Sequence, residues 1–168
     1  MDIINRREEI LEHHKQFLNF VHELSKLNEQ VLRQPMQEGK WSIIEIIGHF
    51  QPWDQFVIEQ RLPFIFTNEE IPPSPKVEEV NATAASGARN NPINVTLEHF
   101  ITTRTQLIDL LSDLHKEVWN SQIHINQKTI SFSEYMKGLM THDLHHKRVE
   151  EVFLNQYGFV KGDIKNEV

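Results

Sequence analysis

The sequence predicts an all-α protein, a four-helix bundle with a long crossover between its second and third helices. Three observations point there. Four stretches carry apolar residues at the three- and four-residue spacing of a helix face. Two of these stretches open with a capping box, Ser42 with Glu45 and Ser131 with Glu134. Between the second and third stretches lie Pro63, Pro72, Pro73, Pro75 and Pro92, so no single helix crosses that region. A chain of 168 residues has the length of one domain. We expect that domain over 1–160, with a short C-terminal tail over 161–168.

The first helix is expected over 3–28, with Ile10, Leu11, Phe17, Leu18, Val21 and Leu24 on its apolar stripe and His14 beside them. A connection with Pro35 and Gly39 follows. Ser42 starts the second helix, and Trp41 and Ile46 stand where a hydrophobic staple needs them. This helix should run to about Leu62, with Ile46, His49, Trp53 and Val57 facing inward and Pro52 bending it beside His49. Residues 63–93 read as the long connection, with a short helix able to start at Ser74-Pro75. The third long helix spans about 96–115 on a stripe of Leu97, Phe100, Ile101, Leu107, Leu111 and Leu114. Weak alternation around Asn126-Gln127 allows a small hairpin or an extended loop. The last helix begins after Ser131, with Ile130 and Tyr135 as its staple, and Gly158 closes it. Its expected seam is Tyr135, Leu139, His142, His146, Val149 and Phe153.

The totals exclude several classes of function. A net charge of −7 without a basic patch argues against nucleic-acid binding. Without a cysteine there is no disulfide, no thiolate metal site and no cysteine nucleophile. The charged opening "MDIINRREEILEHHKQF" is unlike a signal peptide, and no apolar run reaches membrane-spanning length. A cytoplasmic protein is the expectation.

Ten histidines are many for this length, and three of them crowd into "HDLHH". His142 and His146 are four apart, so they share one helix face, and His145 points about 100° away. His49 lies on the inward stripe of another helix. Two imidazoles at this spacing can bind one metal, and a third from a facing helix leaves positions open for water or substrate. With nitrogen and oxygen donors alone, Zn²⁺, Ni²⁺, Fe²⁺, Co²⁺ and Mn²⁺ all fit. The plainer reading makes these histidines core residues of a structural bundle. His14 reads as a boundary residue bonded to a neighbour, and His13, His22, His99, His115 and His124 as surface residues. Asp143 and Glu150 read as solvated helix charges, with orientation of a ligand imidazole as the alternative. Phe50, Trp53 and Phe56 read as core, with Trp53 also placed to line a pocket.

The stretches "EGKWSIIEIIGHF" and "EYMKGLMTHDLHHKRVEEV" resemble the "GKWS…GH" and "HDxHH" signatures of the DinB-like superfamily. The resemblance covers nearly the whole chain. It implies a four-helix bundle with a metal held by His49, His142 and His146, the trio that periodicity selects. It also implies a metal-dependent hydrolase, or a transferase or isomerase using a low-molecular-weight thiol, acting on a small-molecule substrate. A non-enzymatic metal- or ligand-binding bundle in a stress response is the alternative. The family pattern "HHxGQ" is not kept, because Arg148 and Val149 stand at its last two positions. Such bundles often pair, and Ile43, Ile44 and Ile47 add apolar surface beside Ile46, so a homodimer is expected.

Overall fold

The computed structural model describes residues 3–65, 67 and 69–156. Four long helices make the bundle: α1 (Ile3–Leu24), α3 (Ile43–Gln60), α6 (Ile93–Asp113) and α7 (Phe132–Gln156). Short helices α2 (Glu29–Arg33) and α4 (Leu62–Ile65), the longer α5 (Val77–Asn90), a 3₁₀ turn (Lys116–Asn120) and a hairpin of β1 (Gln122–Ile125) with β2 (Lys128–Ser131) join them. α1 packs on α6 and α7, and α3 packs on α6 and α5.

The capping chemistry sets the helix starts. Ser42 Oγ accepts from Glu45 N–H while the Glu45 carboxylate accepts from the Ser42 backbone N–H at 2.8 Å. Ser131 and Glu134 repeat the arrangement at the start of α7. The predicted closing Gly158 and the tail 161–168 lie outside the described residues. The hairpin turns through Asn126 and Gln127, both at positive φ, as a two-residue turn of the primed type requires.

Two elements differ from expectation. The first helix ends at Leu24, and Asn28 then caps the unpredicted α2 by accepting from Val31 N–H. The short helix expected from Ser74-Pro75 within the long connection is α5, which is 14 residues long and begins after Lys76. α5 packs tightly on α3: a Cβ at Gly48 would lie 2.8 Å from the Ala88 Cβ. Ile43, Ile44 and Ile47 are buried within this one chain, so these three offer no surface to a second copy.

The core has two apolar clusters. One gathers Phe17, Val21, Ile47, Phe50, Phe100 and Phe153, and the other Ile10, Val57, Leu107, Trp119, Phe132 and Met140. On each long helix a polar residue falls between the two: His14, Asp54, Arg104 and Asp143, all buried.

Candidate metal centre

His49 sits in the second turn of α3, a turn that two contacts hold in place. Glu45, one turn earlier, pairs with Arg89 of α5, and Gly48 lets α5 approach. The imidazole is 1% exposed, and its Nδ1–H donates to the Ile46 carbonyl, which can only accept. The tautomer is thereby fixed, and the Nε2 lone pair is left free.

His142 and His146 stand one turn apart on α7, with their Nε2 atoms 3.2 Å from each other. Their rings lie 5.5 and 4.7 Å from the His49 ring, centroid to centroid. One ring nitrogen from each of the three falls within 4.8 Å of the others. Burial lowers the His49 pKa to about 4, and the nearby His142 adds to this. Burial, with His49, His142 and His145 close by, lowers His146 to about 3. Burial lowers His142 as well. Near pH 7 these imidazoles are therefore neutral, the form that binds metal.

Their setting differs from the predicted one. The buried face of α7 is Phe132, Met136, Met140, Asp143, Glu150, Phe153 and Leu154, not the Tyr135–Leu139–His142–His146–Val149 line. The seam lies about one residue, or roughly 100°, round from the expected face. Of the three histidines only His49 is fully interior. His146 is half-buried and His142 exposed, so the cluster lies at the rim of the bundle and opens to solvent. His145 is exposed too, with its ring centroid 5.6 Å from that of His146.

A second polar group lies deeper. Arg104 grips Asp54 bidentately, Nε to Oδ2 at 2.6 Å and Nη2 to Oδ1 at 3.1 Å. Its Nη1 donates to Asp143 Oδ2 at 2.8 Å and to His14 Nδ1 at 3.2 Å. His13 Nε2–H donates to Asp143 at 3.0 Å. Burial works against the Asp143 charge, but Arg104 and His13 hold the carboxyl well below its usual range. Burial pushes Asp54 up to about 6 against the pull of Arg104. Burial also lowers His14 to about 3, with Arg104 adding to it.

Several residues read as peripheral belong to this interior. His13 is buried and not a surface residue, and His14 lies deeper than a boundary position. Asp143 and Glu150 are both buried and not solvated. Arg104 and Asp54 were missed. Arg104 stands between Phe100 and Leu107 in the three-and-four spacing of the α6 stripe, a position that carries the signal. His13, His14 and Asp143 also gather within 4.8 Å of one another. Arg104 already donates to two of them and supplies a positive charge, so this group is an internally hydrogen-bonded network.

A bundle of this architecture, with three neutral imidazoles meeting at its rim, defines a class of helical proteins with a candidate histidine metal site. The chain belongs to the DinB superfamily, whose sequence model matches residues 9–149. Among solved structures it is similar to YfiT from Bacillus subtilis, described as "a probable metal-dependent hydrolase with an unusual four-helix bundle topology". That match has a TM-score of 0.72 at 11% identity and covers 92% of this chain and 89% of the other. At such identity the likeness is one of fold. No curated protein matches the chain. Among the described residues no helix is long and apolar enough to cross a membrane.

Proposed function

We propose that the chain is a metal-dependent hydrolase of a small molecule, with His49, His142 and His146 as the ligands of one divalent transition ion. The observation that carries this reading is the meeting of three neutral ring nitrogens, one with its tautomer fixed for ligation. Two nitrogens bound to one ion at about 2.1 Å must lie roughly 3–3.4 Å apart. The 3.2 Å between the His142 and His146 Nε2 atoms falls in that range. Without a cation, that pair can satisfy only one nitrogen through the other. The donor set fits the group.

The chemistry such an ion supplies when bound is Lewis-acid activation of a water or a thiol near neutral pH. The chain's own residues do the rest. The Ile46 carbonyl orients the His49 ring. A cavity of about 820 Å³ opens beside His146 and holds the substrate. His145 lines the same cavity outside the ligand set. A second reading is transfer of a low-molecular-weight thiol, supported by a chain without cysteine that forms no mixed disulfide with its substrate. A non-enzymatic metal-binding role in a stress response is the third.

The test is elemental analysis of the purified protein, then turnover of nitrophenyl esters and of an electrophile with a thiol, each with and without added metal. One ion per chain, lost in His49→Ala and His142→Ala, and metal-dependent ester cleavage are expected. Metal-dependent consumption of the electrophile alone selects the transferase. Stoichiometric metal without turnover selects the binding role, and absence of metal after reconstitution overturns the site.

A further inference from the structure

The cavity beside His146 has a charge and a polarity unlike the rest of the chain. Among the described residues four large apolar side chains stand exposed, and two of them, Val149 and Val152, line this cavity. Trp41 and Ile46 extend the apolar wall. The chain carries 24 acidic residues against 17 basic ones, yet among the described residues no carboxylate lines this space. Lys40 and Arg148 do line it, from opposite elements, and neither has a carboxylate partner among the described residues.

The two cations stand on ordered backbone. Arg148 follows His146 by two residues on α7. Lys40 belongs to a closed turn: Lys40 N–H donates to the Gln37 carbonyl at 3.0 Å, Gly39 takes φ +73°, and Met36 N–H donates to the Trp41 carbonyl at 3.2 Å. Pro35 and Ser42 pair across its base. A side chain at Gly39 would be strained at that φ, so the glycine keeps the turn that presents Lys40 and Trp41.

We propose that this cavity selects an amphipathic organic anion, a small molecule with an apolar body and a monoanionic head such as a carboxylate. The body lies on Trp41, Ile46, Val149 and Val152, and the head lies between Lys40 and Arg148. The assignment of this ligand as the substrate rests on the metal-centre reading above; the binding preference itself does not. Unpaired cations beside exposed apolar side chains are the complement of such a molecule. A neutral apolar ligand would leave both charges unused, and a cation would be repelled.

The test uses the full chain with 4-phenylbutyrate, its neutral counterpart 4-phenylbutanol and the cation 4-phenylbutylammonium, titrated calorimetrically at low salt. The anion is expected to bind about tenfold more tightly than the alcohol, the effect of two exposed charge contacts. Added salt should shrink the preference. The double variant Lys40→Gln/Arg148→Gln should bring anion and alcohol to parity, while Lys128→Gln on the hairpin should change nothing. His142→Ala removes a proposed metal ligand that does not line the cavity, and the preference should survive it, as it should survive EDTA. Parity in the native chain overturns the proposal. So does a preference that survives the double variant but disappears with His142→Ala or EDTA, because the anion would then be held by the metal. Failure to find metal, with the preference intact, defeats the metal-centre reading alone.

Discussion

Arg104 donates to the Asp143 carboxylate at 2.8 Å, and Asp143 is the residue that follows His142 on α7. The buried pair therefore fixes the rotation of the helix that carries two of the three clustered histidines. With Asp143 turned inward to Arg104, His142 is turned to the rim of the bundle and stands exposed.

Removing Arg104 leaves Asp54 and Asp143 buried without their cation. Arg104→Ala should lower stability by about 3–5 kcal/mol, the range for breaking a buried pair on one side. Urea denaturation checks this. Arg104→Lys keeps the charge but loses the fork that meets two carboxylates, so it should recover part of the loss. Full stability in Arg104→Ala would show that the network does not hold the core.

Glu150 makes the opposite case. It is 1% exposed, and neither carboxylate oxygen has a hydrogen-bond partner among the described residues. Burial pushes its pKa well above the usual range. The folded chain then holds a proton that the unfolded chain releases above its ordinary value. Stability from this group is full below that value and falls as pH rises through the window. Glu150→Gln should match the native chain near pH 4 and exceed it increasingly above, by up to about 1.4 kcal/mol per pH unit. Parallel stability–pH curves for the two metal-free proteins would contradict this.

The bundle was legible because helix periodicity and capping are local signals. Ser42–Glu45 and Ser131–Glu134 mark two helix starts correctly, and the shared face of His142 and His146 followed from their four-residue spacing. The face of α7 was not legible in the same way. The hydrophobic pattern put Val149 in the seam, and it lies 40% exposed. The pattern also put Asp143 outside, because a charged residue reads as solvated until its partner is known. That partner, Arg104, lies 39 residues earlier in the chain. The full length of α5 was not legible for a related reason: its buried residues are Ala85 and Ala88, and two alanines make a faint stripe.

His14 gives the metal-free protein an acid-labile core. Its pKa falls from 6.5 to about 3 on folding, through burial and then Arg104. The unfolded chain therefore binds the proton first as pH drops. Stability is full above about 6.5 and is lost progressively as pH falls toward about 3. His14→Gln cannot take up that proton. Its stability should decline less steeply between pH 6.5 and 4, by up to about 1.4 kcal/mol per unit. Equal slopes in metal-free denaturation curves would remove His14 from the account.

Metal binding should appear in melting temperature with a defined pH limit. A ligand that binds only the folded chain raises stability by mass action. The metal-loaded protein should therefore melt above the EDTA-treated one at pH 7.5. Protons compete for the same nitrogens, but folding already depresses His49 to about 4 and His146 to about 3. The gap should thus persist at pH 6, where three ordinary imidazoles would be largely protonated. It should narrow as His142, also lowered by burial, takes up its proton, and collapse as pH falls through about 4. His142→Ala should abolish the gap at every pH, and His145→Ala should leave most of it. The reverse pattern would mean that α7 presents His145 to His49, a rotation that would also pull Asp143 away from Arg104. The denaturation of Arg104→Ala therefore provides an independent check on the same helix face.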